Sequence, residues 1–141
     1  MVGSFHHNLL AHCAGRNWSL AGWLDSQKRH TGWLDLRNNV VYNWKHRTTD
    51  GGVMRCNFVN NFYIPGPATE MFMLIKPDGD QMKTGNPQMF YITGNKMEGY
   101  PQYDKDNWVG TKPNYAEVSQ IRSDKPFFPN YVTTQTPEEA Y

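Results

Sequence analysis

The residues able to do chemistry crowd into the first 55 positions of this 141-residue chain. Seven cations lie there, Arg16, Lys28, Arg29, Arg37, Lys45, Arg47 and Arg55, against three acids, Asp25, Asp35 and Asp50. All five histidines share the stretch, at positions 6, 7, 12, 30 and 46. Beyond it seven Lys/Arg face ten Asp/Glu, so the net charge of +1 hides a basic half and an acidic half. A basic face suits a polyanion, a nucleic acid or an acidic polysaccharide, although an ordinary solvated surface has the same composition. His6-His7 looks like a metal pair, but adjacent residues on a strand point to opposite faces, which argues against joint ligation. None of the three acids has the spacing of a calcium loop, and Asp50-Gly51-Gly52 reads as a turn. Cys13 and Cys56 make neither a disulfide framework nor a metal motif, so two free, buried thiols are expected.

The elements that must position these residues show a loose repeat. Four segments share one pattern: Ser4-Phe5-His6-His7-Asn8-Leu9-Leu10, Asp35-Leu36-Arg37-Asn38-Asn39-Val40-Val41, Asn57-Phe58-Val59-Asn60-Asn61-Phe62-Tyr63 and Tyr91-Ile92-Thr93-Gly94-Asn95-Lys96-Met97. Aligned on Asn8, Asn39, Asn61 and Asn95, each has a large apolar residue three positions before the asparagine and an apolar position two after it. Repeats of this length, each one strand–turn–strand unit, indicate a solenoid whose unequal loops leave on one side. Asparagine suits the turn because it tolerates the left-handed conformation and can bond along a stack of equivalent turns. Gly94 fits the same turn. The expected fold is therefore all-β, a short single-stranded right-handed parallel β-helix over about 4–98, followed by an irregular wrapping tail over about 99–141. The rival, an antiparallel β-sandwich, predicts Asn-Gly hairpins, and the chain contains none. The methionines Met71, Met73, Met82 and Met89 read as packing.

One domain is expected from the length. There is no run of about eighteen apolar residues, so no membrane helix is expected, and Met1–Leu10 does not read as a secretory signal. Both ends look cut: Thr136-Pro137-Glu138-Glu139 reads as a capped helix start, and nothing precedes Phe5 to cover the first unit. Uncovered apolar side chains and a strand edge favour association, so a homo-oligomer, a closed dimer or trimer, is expected.

The segments Ser4–His12, Gly15-Arg16-Asn17-Trp18, Leu34–Trp44 and Phe58–Thr69, the last ending Pro65-Gly66-Pro67-Ala68-Thr69, resemble polysaccharide lyase family 1, the pectate lyases. Met97-Glu98-Gly99 and Val132-Thr133-Thr134 continue the likeness, which begins partway through the family's β-helix. The resemblance implies β-elimination on an acidic polysaccharide, polygalacturonate, with no nucleic-acid or membrane partner and an extracellular, secreted location. It puts the base that takes the C5 proton at Arg16. It puts substrate contacts at Trp18, Lys28, Arg29, His30, Arg37, Lys45 and Arg47, although Trp18 equally reads as a core residue. It also implies calcium, whose usual ligands come from coils ahead of the matched segment. Asp25, Asp35 and Asp50 are the local acids that would replace them, binding calcium weakly and together with substrate. Many family members follow the arginine with a proline and a second arginine; Asn17-Trp18-Ser19-Leu20-Ala21-Gly22 follows it here. The glycosylation sequon Asn17-Trp18-Ser19 falls in this loop and reads as coincidence. Two other roles stay open, a non-catalytic binder of acidic polysaccharide and a structural β-helix of the trimeric-fibre kind.

Overall fold

A computed structural model describes residues 2–20, 25–79 and 87–141. Ala21, Gly22 and Met82 of the sequence expectations lie outside the described residues. Among the described residues ten short strands, β1 (Val2–His6), β2 (Leu9–Ala11), β3 (Trp33–Arg37), β4 (Val40–Tyr42), β5 (Thr49–Gly51), β6 (Arg55–Val59), β7 (Phe62–Ile64), β8 (Ile75–Pro77), β9 (Met89–Thr93) and β10 (Lys96–Met97), make three sheets. Their orders are β1-β3-β6-β9, β2-β4-β7-β10 and β5-β8. Every pairing between these strands is parallel, which rules out the antiparallel sandwich. The class is all-β, with few and short helices: α1 (Pro101–Lys105), a 3-10 turn at Asn107–Gly110, α2 (Val118–Ile121) and α3 (Pro137–Ala140). None of the helices among the described residues is long and apolar enough to cross a membrane.

Parallel register stacks like on like. In the first sheet Phe5, Leu36, Phe58 and Ile92 share one row, and Leu34, Cys56 and Phe90 another. Leu36, Cys56, Phe58 and Phe90 are at most 1% exposed and meet Val41, Tyr63 and Met97 of the second sheet and Ile75 of the third in one core. Alternation then sends Ser4, Asp35, Asn57, Tyr91 and, two positions on, Arg37 to the opposite face.

The asparagines run through the stack as a chain of amides. Asn39 Oδ1 accepts from Asn8 Nδ2 (2.9 Å), Asn61 Oδ1 from Asn39 Nδ2 (3.0 Å), Asn95 Oδ1 from Asn61 Nδ2 (2.8 Å), and Asn107 Oδ1 from Asn95 Nδ2 (2.9 Å). Each of these oxygens also accepts the backbone N–H of the preceding ladder asparagine. The left-handed residue is not the ladder asparagine but the one before it: His7, Asn38, Asn60 and Gly94 have φ of 53°, 52°, 52° and 67°. That backbone reversal turns the next side chain inward along the stack. At Gly94 a Cβ would lie 1.9 Å from Asn60 Oδ1, so a side chain there would have to displace the Asn60 amide, although His7, Asn38 and Asn60 hold the same left-handed turn without glycine.

The segment after Gly99 is more ordered than the expected irregular tail. Asn107 continues the amide chain, Thr111 bridges in parallel to Ile75, and Arg122 bridges to Phe90. The residues beyond then cross the outward face of the first sheet. Asn57 Nδ2 donates to Phe128 O, Phe127 N donates to Asn57 Oδ1, and Trp33 stacks on Phe128. Thr136 caps α3 in a capping box with Glu139, as its sequence predicts, and Lys96 pairs with Glu138 to hold α3 on the second sheet. The cysteines divide: Cys56 is buried as expected, whereas Cys13 is exposed.

Candidate functional site

Two loops, residues 12–19 after β2 and 43–48 after β4, lie side by side because the strands they leave are paired. Backbone bonds continue that pairing outward: His46 N to Ala14 O (3.0 Å), Asn17 N to Thr48 O (3.1 Å), and Asp50 N to Trp18 O (3.1 Å). Ser19 forms a parallel bridge to Asp50. Asn17 is fully buried, its amide nitrogen donating to Cys13 O and Arg47 O, so the sequon asparagine is a structural part of the loop.

The stacking brings Arg16 and Arg47 to one carboxylate. Arg16 Nε is 3.4 Å from Asp50 Oδ1 and Arg47 Nε is 3.2 Å from Asp50 Oδ2. The guanidinium side chains are 51% and 47% exposed, the carboxylate only 10%, so the cations face solvent over a recessed acid. Arg16 takes φ of 53°, a conformation a non-glycine residue holds only when its surroundings impose it, and donates Nη1–H to Ser19 Oγ (3.2 Å). Asp50 lies beside Lys76 in the β5–β8 register. Burial pushes the Asp50 carboxyl above its ordinary value against the pull of Arg47 and Arg16, and Asp78 adds to the rise. Among the described residues this is where two half-exposed arginines share one acid.

The other expected contacts divide. Lys45 is exposed and pairs with Glu70 (3.6 Å), one residue from the loop's centre at His46. Lys28 and Arg29 belong to a separate turn. There Arg29 Nε and Nη2 clasp Asp25 Oδ2 at 2.8 and 2.7 Å, and this hydrogen bonding holds the Asp25 carboxyl below its ordinary value. Three placements correct the expectation. Arg37 is 5% exposed and forks onto Asp35 at 2.7 and 2.6 Å beneath Thr134, so the tail removes it from any substrate face. His30 is 3% exposed, its ring close against Gly52, where a Cβ would lie 2.1 Å from it. Trp18 packs on the core and tilts against Phe5 at 5.2 Å, which matches the core alternative rather than an open stacking platform.

The acids present do not fit calcium. Calcium takes six to eight oxygens, whereas Asp25, Asp35 and Asp50 are separated and each is already matched by arginine. Among the described residues no group of three His, Cys, Asp or Glu could hold a metal ion.

Ser19 and Lys76 belong to the cluster but carry no signal of their own. The offset of 31 residues between Asn8 and Asn39 also relates Arg16 to Arg47 and Ser19 to Asp50, so the repeat contains their adjacency. No protein-family model matches the chain, and no curated protein matches it.

Proposed function

We propose that the protein is a polysaccharide lyase that cleaves polygalacturonate by β-elimination, with Arg16 as the base at C5. The observation that carries this reading is the convergence of Arg16 and Arg47 on Asp50: two half-exposed guanidinium groups lie at ion-pair distance from one carboxylate, the group a uronate would present to them. In the elimination the C5–H bond breaks, its electron pair forms the C4=C5 double bond, and the C4–O bond to the leaving sugar breaks. The proton passes to the guanidine of Arg16, and the leaving oxygen takes a proton from solvent. Positive charge on the carboxylate stabilises the enolate-like transition state, a role that falls to Arg47. A guanidinium has no lone pair to accept a proton, so Arg16 must react in its neutral form. The fold that belongs with this reading is the short right-handed parallel β-helix. Three sheets of parallel strands, the amide chain and the loops stacked on one side support it. An extracellular location follows from the substrate.

Incubation with polygalacturonate should produce the ultraviolet absorbance of the unsaturated uronide. Arg16→Ala should abolish it with the fold intact, because a half-exposed loop arginine contributes little to the core. Arg16→Lys should recover little, since a point charge does not replace a fork of donors. Full turnover in Arg16→Ala would overturn the assignment and move the base to Lys28 or Lys45.

A second reading, a polyuronate binder without chemistry, is favoured by one observation: Asp50 is the counter-ion of both arginines in the free protein. Affinity electrophoresis on polygalacturonate with no unsaturated product would select it. Either way Asp50 makes binding depend on pH. Burial raises its carboxyl above the ordinary value, so as pH falls Asp50 takes up its proton before an exposed uronate does. Affinity should rise as pH falls into this window, and Asp50→Asn should bind tightly without that slope. The sign for stability is parallel: a raised folded value favours the folded state at low pH, and the benefit is lost as pH rises through it. Equal slopes in the parent and Asp50→Asn proteins would remove Asp50 from the account.

A further inference from the structure

Adjacent histidines on a strand diverge, but β1 ends at His6 and the chain reverses at His7. Its φ of 53° and its bond from His7 N to Asn38 O (3.1 Å) bring the second ring back beside the first. The two Nδ1 atoms are 3.0 Å apart, with the rings edge to face at 85° and both residues exposed. His7 Nε2 faces Gln135 Oε1 at 2.7 Å. With Gln135 Oε1 as the acceptor, Nε2 of His7 is the donor and its Nδ1 presents a lone pair toward His6.

We propose that His6 and His7 form a surface site for a divalent transition metal, Ni²⁺ or Cu²⁺, bound through both Nδ1 atoms. Two nitrogens at metal bonds of about 2.0–2.1 Å subtend about 90° when they lie about 2.9–3.0 Å apart. That is the cis angle of tetragonal and octahedral centres, and imidazole is a ligand these ions accept. Water fills the other positions. Without metal, His6 Nδ1–H donates to His7 Nδ1; on binding, His6 moves its proton to Nε2, both rings stay neutral, and no net proton is released. Gln135 orients the His7 ring, the usual task of a partner on the non-ligating nitrogen. It is also a tail anchor: Gln135 N donates to Asn38 Oδ1 (3.0 Å), and Gln135 O accepts from Asn38 Nδ2 and Asn60 Nδ2, each at 2.7 Å. The metal site therefore sits where the returning tail is tied to the turns, and occupancy stabilises that junction by mass action.

The test is titration calorimetry with nickel chloride on the full chain carrying Cys13→Ser, so that the exposed thiol does not compete. One nickel per chain is expected. Affinity should fall at least tenfold in His6→Ala and in His7→Asn, the latter chosen because asparagine accepts the positive φ. Gln135→Ala should weaken binding about 10–100-fold. With Cu²⁺, electron paramagnetic resonance should show two imidazole nitrogens. No binding at millimolar nickel, binding unchanged in the His6→Ala/His7→Asn double variant, or a copper spectrum with fewer than two nitrogens would overturn the site.

Discussion

Asn61→Ala is expected to destabilise the protein by about 2–5 kcal/mol. Asn61 is 1% exposed and stands in the middle of the amide chain. Its Oδ1 accepts Asn39 N (3.1 Å) and Asn39 Nδ2 (3.0 Å), and its Nδ2 donates to Leu36 O (3.0 Å) and Asn95 Oδ1 (2.8 Å). Alanine removes the acceptor of the Asn39 backbone N–H and a donor to Leu36 O, in a place water cannot reach. Each buried group left unsatisfied costs about 1–3 kcal/mol. Asn8, at the exposed end of the chain, is the control. Solvent can replace its bonds, and Asn8→Ala should cost under about 1 kcal/mol. Urea denaturation of both variants reads the contrast. Equal losses would mean that the ladder is a consequence of the fold and contributes little to holding it.

Arg37→Ala should cost about 3–5 kcal/mol, because truncating one partner of a buried ion pair leaves an uncompensated charge. Asp35 is 1% exposed, and besides Arg37 its carboxylate accepts only from Ser4 Oγ (3.1 Å) among the described residues. The same substitution removes the bond from Arg37 Nη1 to Thr134 Oγ1 (2.7 Å), so protease cleavage in residues 123–136 should quicken. Asp35→Leu/Arg37→Met should recover most of the loss, since a packed apolar pair avoids burying charge. On the proposed lyase reading, cleavage of polygalacturonate per folded molecule should be unchanged, because the pair lies under the tail and Arg37 is matched to Asp35, not to Asp50. Arg16→Ala and Arg37→Ala thus have opposite signatures, lost activity against lost stability. A drop in specific activity in folded Arg37→Ala would return Arg37 to the substrate face.

The amide ladder is where the sequence spoke most directly. The spacings of 31, 22 and 34 residues between Asn8, Asn39, Asn61 and Asn95 are the separations across which the amides bond. A side chain that must meet its equivalent in the next unit leaves its period in the sequence, whatever the loop lengths between. The turn's left-handed residue was placed one position too late, because two consecutive polar residues at Asn38-Asn39 and Asn60-Asn61 offer the role to either. At His6-His7 the strand period stops with the strand: β1 ends at His6, and the two rings lie side by side.

What the amino-acid sequence determined by itself was the repeated unit: strand, reversal, inward asparagine, strand, and the apolar rows these stack. Its reason is that such features rest on a few neighbouring residues and on register, both of which a period records. The 31-residue offset even relates Arg16 to Arg47, which converge on Asp50, and Ser19 to Asp50, which bridge. Only the tertiary structure decided which outward-facing residues stay outward. Asp35 and Arg37 alternate to the surface of their sheet, yet Thr134, 97 positions from Arg37, returns across them and makes them interior. Which cation meets solvent and which meets a buried acid thus follows from where a distant segment packs, and that segment's path is set by the surface it covers, not by any pattern within it.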